Sequence, residues 1–203
     1  MIRRRNLLTA AAAGAIVATL SPRVSFAQQL VLEEVFNDPD APVLGNPKGD
    51  VTVVEFFDYQ CPYCKKAHPD VESVIAGDGN VRFIMKDWPV FGDVSVFASQ
   101  AVLGANELGE YKKAMEALMA TPGSLSEDDV VRLLTSAGID LKMVAEAVRK
   151  NDKKISALLT RNYDQALAFN FAGTPSFVIG RTTYSGILDK DQLRAAIKQA
   201  RAA

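Results

Sequence analysis

Cys61 and Cys64 are the only cysteines in a chain of 203 residues, and they stand in a single Cys-Pro-Tyr-Cys run. A bond between them would not staple a fold, because closing a four-residue loop removes little entropy from an unfolded chain. A structural zinc site would want about four ligands, whereas the chain has one histidine and no second cysteine pair. What remains is reactivity. A vicinal dithiol exchanges with other disulfides, the attacking sulfur acting as thiolate. The competing chemistry is capture of a soft ion such as copper(I) by the two thiolates.

The elements around the pair decide which sulfur does what. Val51–Tyr59 reads VTVVEFFDY, β-branched and aromatic nearly throughout, the pattern of a central strand buried on both faces. A helix is predicted to start at the cysteine run. Cys61 then occupies the helix N-terminus, where free backbone N–H groups and the dipole lower a thiol's pKa. Cys64 lies nearly one turn further in, shielded and suited to resolve a mixed disulfide made by Cys61. Glu55 shares a strand face with Val53, Phe57 and Tyr59 by alternation, so it points into apolar surroundings. A carboxyl there has a raised pKa and can take the proton of the resolving thiol. His68 is roughly 10 Å from the first thiol by helical rise, too far to touch it, and is expected to be a solvated helix residue. Pro69 should kink the same helix.

Val81–Lys86 (VRFIMK) is a second buried strand, which makes the cysteine helix the crossover of a right-handed βαβ unit. Helical periodicity then runs through 94–108, 111–119, 126–137, 141–150 and 152–169, broken by Gly109, Pro122-Gly123 and Gly138. Ser126 is the expected N-cap of the third of these helices, with acids in its first turn. Tyr163, Phe169 and Phe171 are expected in the core. Thr174-Pro175 precedes a short strand, Ser176–Ile179, followed by a turn, a strand near 182–184 and an amphipathic helix over 189–201. Between Gln28 and Asp50 the chain is rich in proline, glycine and asparagine, a turn-rich lead-in with one short strand expected at Leu30–Phe36.

Four of the 23 basic residues, Arg3, Arg4, Arg5 and Arg23, fall within the first 27 positions, which hold no acid. That basic start, the apolar stretch Leu7–Leu20 and the small residues Ser25 and Ala27 read as an export signal cleaved after Ala27. Arg4-Arg5-Asn6-Leu7-Leu8 also fits a twin-arginine signal, and the composition leaves both export routes open. Either route leads to a compartment in which disulfides persist, here the periplasm. The net charge of -1 conceals an acidic excess after residue 27, which offers nucleic acid no basic face. No later apolar run approaches the ~18 residues of a membrane span.

The strand, the CPYC-headed helix with a proline eight residues after its first cysteine, the helical block and the run Gly173-Thr174-Pro175-Ser176-Phe177 together resemble the DsbA-like family of exported thiol–disulfide oxidoreductases. The resemblance covers about residues 36–201. It implies an α/β, thioredoxin-like fold with an inserted all-helical subdomain: residues 28–87 and 172–203 form the thioredoxin-like part, and 88–171 the insertion. It further implies a cis proline at Pro175 packed against the cysteines, client binding through Thr174 and Pro175, and a functional acid at Glu55. Pro62 and Tyr63 between the cysteines would tune the potential. The implied activity is oxidation of reduced or unfolded exported proteins by a monomer without cofactor or bound metal, its disulfide regenerated by a membrane thiol oxidase. Two departures bear on this. Tyr63 stands where strong oxidases often carry histidine, and threonine before the proline also occurs in disulfide isomerases. An isomerase or reductase is therefore the first alternative, and a thiolate copper-binding protein the second.

Overall fold

The structure, a computed structural model, describes residues 26–203. The expected signal segment lies outside the described residues but for its last two. Helix α1 (Phe26–Phe36) comes first, where a strand was expected over Leu30–Phe36. The aliphatic run LVLEEVF reads as a strand only while its partners are unknown. Leu32 and Val35, three apart, are buried while Leu30 is exposed, which is helical spacing onto a core. Strand β1 (Val43–Gly45) lies in the lead-in and pairs with a sheet edge, Val43 opposite Ile84.

Strand β2 (Val51–Phe57) is buried almost throughout, stops two residues short of the expected Tyr59, and passes to helix α2 (Pro62–Asp78). Gly79 ends that helix in the left-handed conformation, φ 71°, its N–H returned to Ile75 O. Strand β3 (Val81–Asp87) pairs parallel to β2, with Glu55 opposite Met85 and Phe57 opposite Asp87, so the βαβ unit forms as expected. Five helices follow before the chain rejoins the sheet: α3 (Asp93–Asn106), α4 (Tyr111–Met119), α5 (Glu127–Ser136), α6 (Leu141–Lys150) and α7 (Asp152–Ala168). Ser126 caps α5, accepting from Asp129 N while the Asp129 carboxylate accepts from Ser126 N. Close packing of α3 on α6 depends on Gly104, where a Cβ would stand 2.5 Å from Val148 Cγ2. Strand β4 (Ser176–Ile179), strand β5 (Thr182–Ser185) and helix α8 (Lys190–Arg201) complete the order β1-β3-β2-β4-β5, with β2–β4 and β4–β5 antiparallel.

The two sheet faces have different covers. Val53, Phe57, Phe83, Met85, Phe177 and Ile179 pack with α2, α8 and the inserted helices. On the other face Val54, Phe56, Ile84 and Val178 meet Leu32 and Val35 of α1 together with Ala166, Phe169 and Phe171. Phe169 and Phe171 are core residues as expected, Phe171 lying edge-on to Phe56 at 5.4 Å between centroids. Tyr163 is not: it is half exposed, because α7 buries Leu158, Asn162, Gln165 and Ala166 and residue 163 falls one position off that stripe. On this second face Lys86 is fully buried and donates to Asp38 at 2.7 Å, and Arg161 reaches the same carboxylate at 2.9 Å. That pairing ties the lead-in to β3 and α7.

Candidate active site

Cys61 is the N-cap of α2, extended at φ -71°, ψ 114°, and Pro62 takes the first helical position, where its missing N–H costs nothing. Cys64 N–H donates to Cys61 Sγ at 3.3 Å. The residue before the cis peptide Thr174-Pro175 lies against the same sulfur, the Cys61 thiol donating to Thr174 O at 3.2 Å. Sequence positions 113 residues apart are thus brought onto one atom. Both cysteines are fully buried, with the Cys64 N–H and the Thr174 carbonyl against the Cys61 sulfur. The exposed group of the motif is Tyr63, 61% accessible.

The two sulfurs are electrostatically unlike. Donation from the Cys64 side chain, then from the Thr174 side chain and the backbone N–H groups of Cys64 and Tyr63, lowers the Cys61 pKa to about 6 against the opposing effect of burial. The Thr174 hydroxyl has no other hydrogen-bond partner among the described residues and can turn toward the thiolate. Burial, the bond to Cys61 and the charge of Glu55 push Cys64 far up, so it remains a thiol. Such a pair can hold one negative charge at Cys61 and one proton at Cys64 when reduced.

Glu55 is fully buried, and neither carboxyl oxygen has a partner among the described residues. Burial, and then the charge of Cys61, raise its pKa to about 8. The expected apolar surroundings are there, with Tyr59 just beyond the strand end, edge-on to Phe57. His68 departs from expectation. With Cys64, Val71 and Ile75 it lies on the buried stripe of α2, 5% exposed, its ring nitrogens without hydrogen bonds and Glu72 3.9 Å away. Burial pushes its pKa down. Pro69 lies inside α2, which continues through it to Asp78.

Three residues next to the cysteines carry more of the architecture than their sequence suggests. Asp58 is fully buried, and its carboxylate accepts from Gln60 N, Val90 N and Ser95 Oγ, each at 2.7 Å, and from Phe91 N at 3.1 Å. Its carbonyl takes the Cys61 N–H. Gln60 and Lys65 bind the segment between α4 and α5. An acid at the end of a buried strand was a signal for Asp58, as it was for Glu55. For Gln60 and Lys65 there was none, since their partners lie about sixty positions away.

Fold and site together define a class, the thioredoxin-fold thiol–disulfide oxidoreductases. The family model described as Thioredoxin matches residues 37–199, and the chain belongs to that family. A thioredoxin-like oxidoreductase from Silicibacter pomeroyi superposes with a TM-score of 0.80 at 40% identity, over 84% of this chain and 98% of its own. The catalytic domain of ScsC from Proteus mirabilis gives 0.75 at 28% identity, over 87% and 99%. Among curated sequences, disulfide bond formation protein D of Bacillus subtilis is 27% identical over 176 residues, 78% of this chain and 76% of that protein. The Na(+)/H(+) antiporter NhaA 1 of Salinispora arenicola is 28% identical over 80% of this chain, which spans 25% of the antiporter. The chain thus spans about a quarter of several curated relatives it matches, and among its described residues no helix is long and apolar enough to cross a membrane. Among those residues, too, no group of three His, Cys, Asp or Glu side chains is placed to hold a metal ion.

Proposed function

We propose that the protein is an exported thiol oxidase that passes the Cys61–Cys64 disulfide to reduced client proteins. A client thiolate attacks the Cys61 sulfur, the sulfur–sulfur bond breaks, and Cys64 leaves with the bonding electrons and takes a proton, for which Glu55 is the buried donor. A second client thiolate then attacks the client sulfur of the mixed disulfide and expels Cys61 as thiolate. Two electrons pass from the client dithiol to the pair, and a membrane thiol oxidase would remove them. The observation that carries this reading is the asymmetry of the sulfurs. A Cys61 stabilised as thiolate favours the reduced state and is a good leaving group in the second step. Thr174 and Pro175, against Cys61, are the proposed client-binding residues, with Pro62 and Tyr63 as tuning residues. A solved periplasmic thioredoxin-like protein from Salmonella enterica serovar Typhimurium, 27% identical, supports the proposed location.

An isomerase or reductase is the second reading, favoured by an exposed tyrosine rather than a charged donor between the cysteines. The potential of the pair in glutathione buffers decides. A value above about -180 mV supports the oxidase, and one near about -270 mV supports a reductase.

A further inference from the structure

The residues on either side of the cysteine motif hold the same strap. Gln60, directly before Cys61, donates from Nε2 to Leu125 O at 2.8 Å and accepts from Leu125 N at 2.7 Å, so its amide pairs with the strap as a neighbouring strand would. Lys65, directly after Cys64, donates from Nζ to Gly123 O at 2.6 Å. The strap, Thr121–Leu125, is otherwise exposed between its anchors. Lys65 is nearly buried, and that carbonyl is the hydrogen-bond partner found for its ammonium among the described residues.

A long helical side chain leans toward the N-terminus of its helix, and Lys65 is one turn beyond Cys61, its N–H bonded to Cys61 O. Its side chain therefore runs back along the turn that begins at Cys61, and its ammonium ends on Gly123 O, two residues from the point at which Gln60 holds the strap. The negative groups acting on it are Asp58, Asp129 and Cys61 itself. Asp58 is saturated by four donors and Asp129 is held by Arg132 and the Ser126 cap. The Cys61 sulfur is the member of the three with a charge that comes and goes.

We propose that Lys65 is a positioning residue of the redox pair, keeping a positive charge beside the Cys61 sulfur, and that the strap, latched by Gln60, keeps Lys65 in place. The inference rests on the reading of Cys61 as the attacking thiolate, and not on the choice between oxidase and reductase. Burying an ammonium is costly without negative neighbours, and the thiolate adds to the fixed charges of Asp58 and Asp129 at this position. The strap carbonyl prevents the side chain from swinging out to solvent.

The test is titration of Cys61, followed by thiolate absorbance near 240 nm and by the pH dependence of alkylation, in the parent protein and in Lys65→Met, Lys65→Arg and Gln60→Leu, with circular dichroism as the check on folding. Loss of the charge in Lys65→Met should raise the Cys61 midpoint by roughly 0.5–1 pH unit, as expected for removal of a nearby opposite charge. Lys65→Arg should recover most of the shift, and Gln60→Leu should show part of it. Should Lys65→Met fail to fold, the comparison of Lys65→Arg with Gln60→Leu carries the test, an unshifted Gln60→Leu refuting the role of the strap. A folded Lys65→Met with the parent midpoint, or Lys65→Arg displaced as far as Lys65→Met, overturns the proposal. A parent protein in which Cys61 titrates like a free thiol overturns instead the thiolate reading beneath it.

Discussion

A helix cap, a carbonyl and a buried acid make two chemically identical side chains behave differently. The alkylation rate of reduced protein should follow a single ionisation near pH 6, that of Cys61, and Cys64→Ala should accumulate mixed disulfides when its Cys61 thiolate attacks disulfide-bonded clients and expels a client thiolate, read on non-reducing gels, whereas Cys61→Ala should not. Trapping by the second variant and not the first would reverse the roles. Glu55 has the opposite sign. Its folded pKa, about 8, lies above the 4.5 of an unfolded chain, so the folded state binds that proton more tightly. Its contribution to stability is complete below about pH 4.5 and is lost as the pH rises through about 8. Glu55→Gln should therefore gain stability relative to the parent between pH 5 and pH 8, by on the order of 2–3 kcal/mol in denaturant midpoints. The same variant should slow client oxidation if the carboxyl supplies the Cys64 proton. A flat stability difference across that range would show that the carboxyl is wetter than its burial indicates.

Between elements, Asp58 couples the β2–α2 turn to the start of α3 through four hydrogen bonds on one carboxylate. Asp58→Asn keeps the shape but turns one acceptor into a donor facing N–H or O–H groups, and the expected cost is roughly 2–4 kcal/mol in urea midpoints. A loss below about 0.5 kcal/mol, the scale of ordinary surface changes, would mean that the loops are held elsewhere. The elements most legible in the sequence were those with a period or a punctuating residue: β2, β3, β4 and the helices from α2 to α8. Helix α1 was misread because its aliphatic run fits a strand locally, and only the groove between α7 and the sheet selects helical spacing. Three-residue β1 is too short to carry any period. Tyr163 lies one position off the buried stripe of α7, and His68 lies on that of α2, where a polar ring gives no sign of burial until the packing of the helix is known. The cysteines, Glu55 and the Thr174-Pro175 peptide were legible because local order or a buried polar type marked them. The Asp58 clamp and the strap anchors depend on tertiary partners that no local pattern names.

For the molecule as a whole, thiolate stabilisation and folding are linked. The depressed Cys61 pKa gives the reduced form a contribution that is complete above the unfolded value of 9.0 and is lost as the pH falls through about 6. The disulfide form lacks this ionisation, so reduced protein should be the more stable of the two, with the gap between their denaturant midpoints widening from pH 6 to pH 9. A disulfide form more stable throughout would favour the reductase reading. Burial of both sulfurs has a separate consequence, for chemical durability. An acidic thiol would ordinarily be an easy target for peroxide, which carries sulfur through sulfenic to irreversible sulfinic and sulfonic acids. Here the reduced sulfur is buried and donates to Thr174 O, so peroxide and alkylating reagents alike should reach it more slowly than an open thiolate of the same acidity. Acidity and access are thereby separated, and the reduced pair should resist over-oxidation better than an exposed thiol of the same acidity.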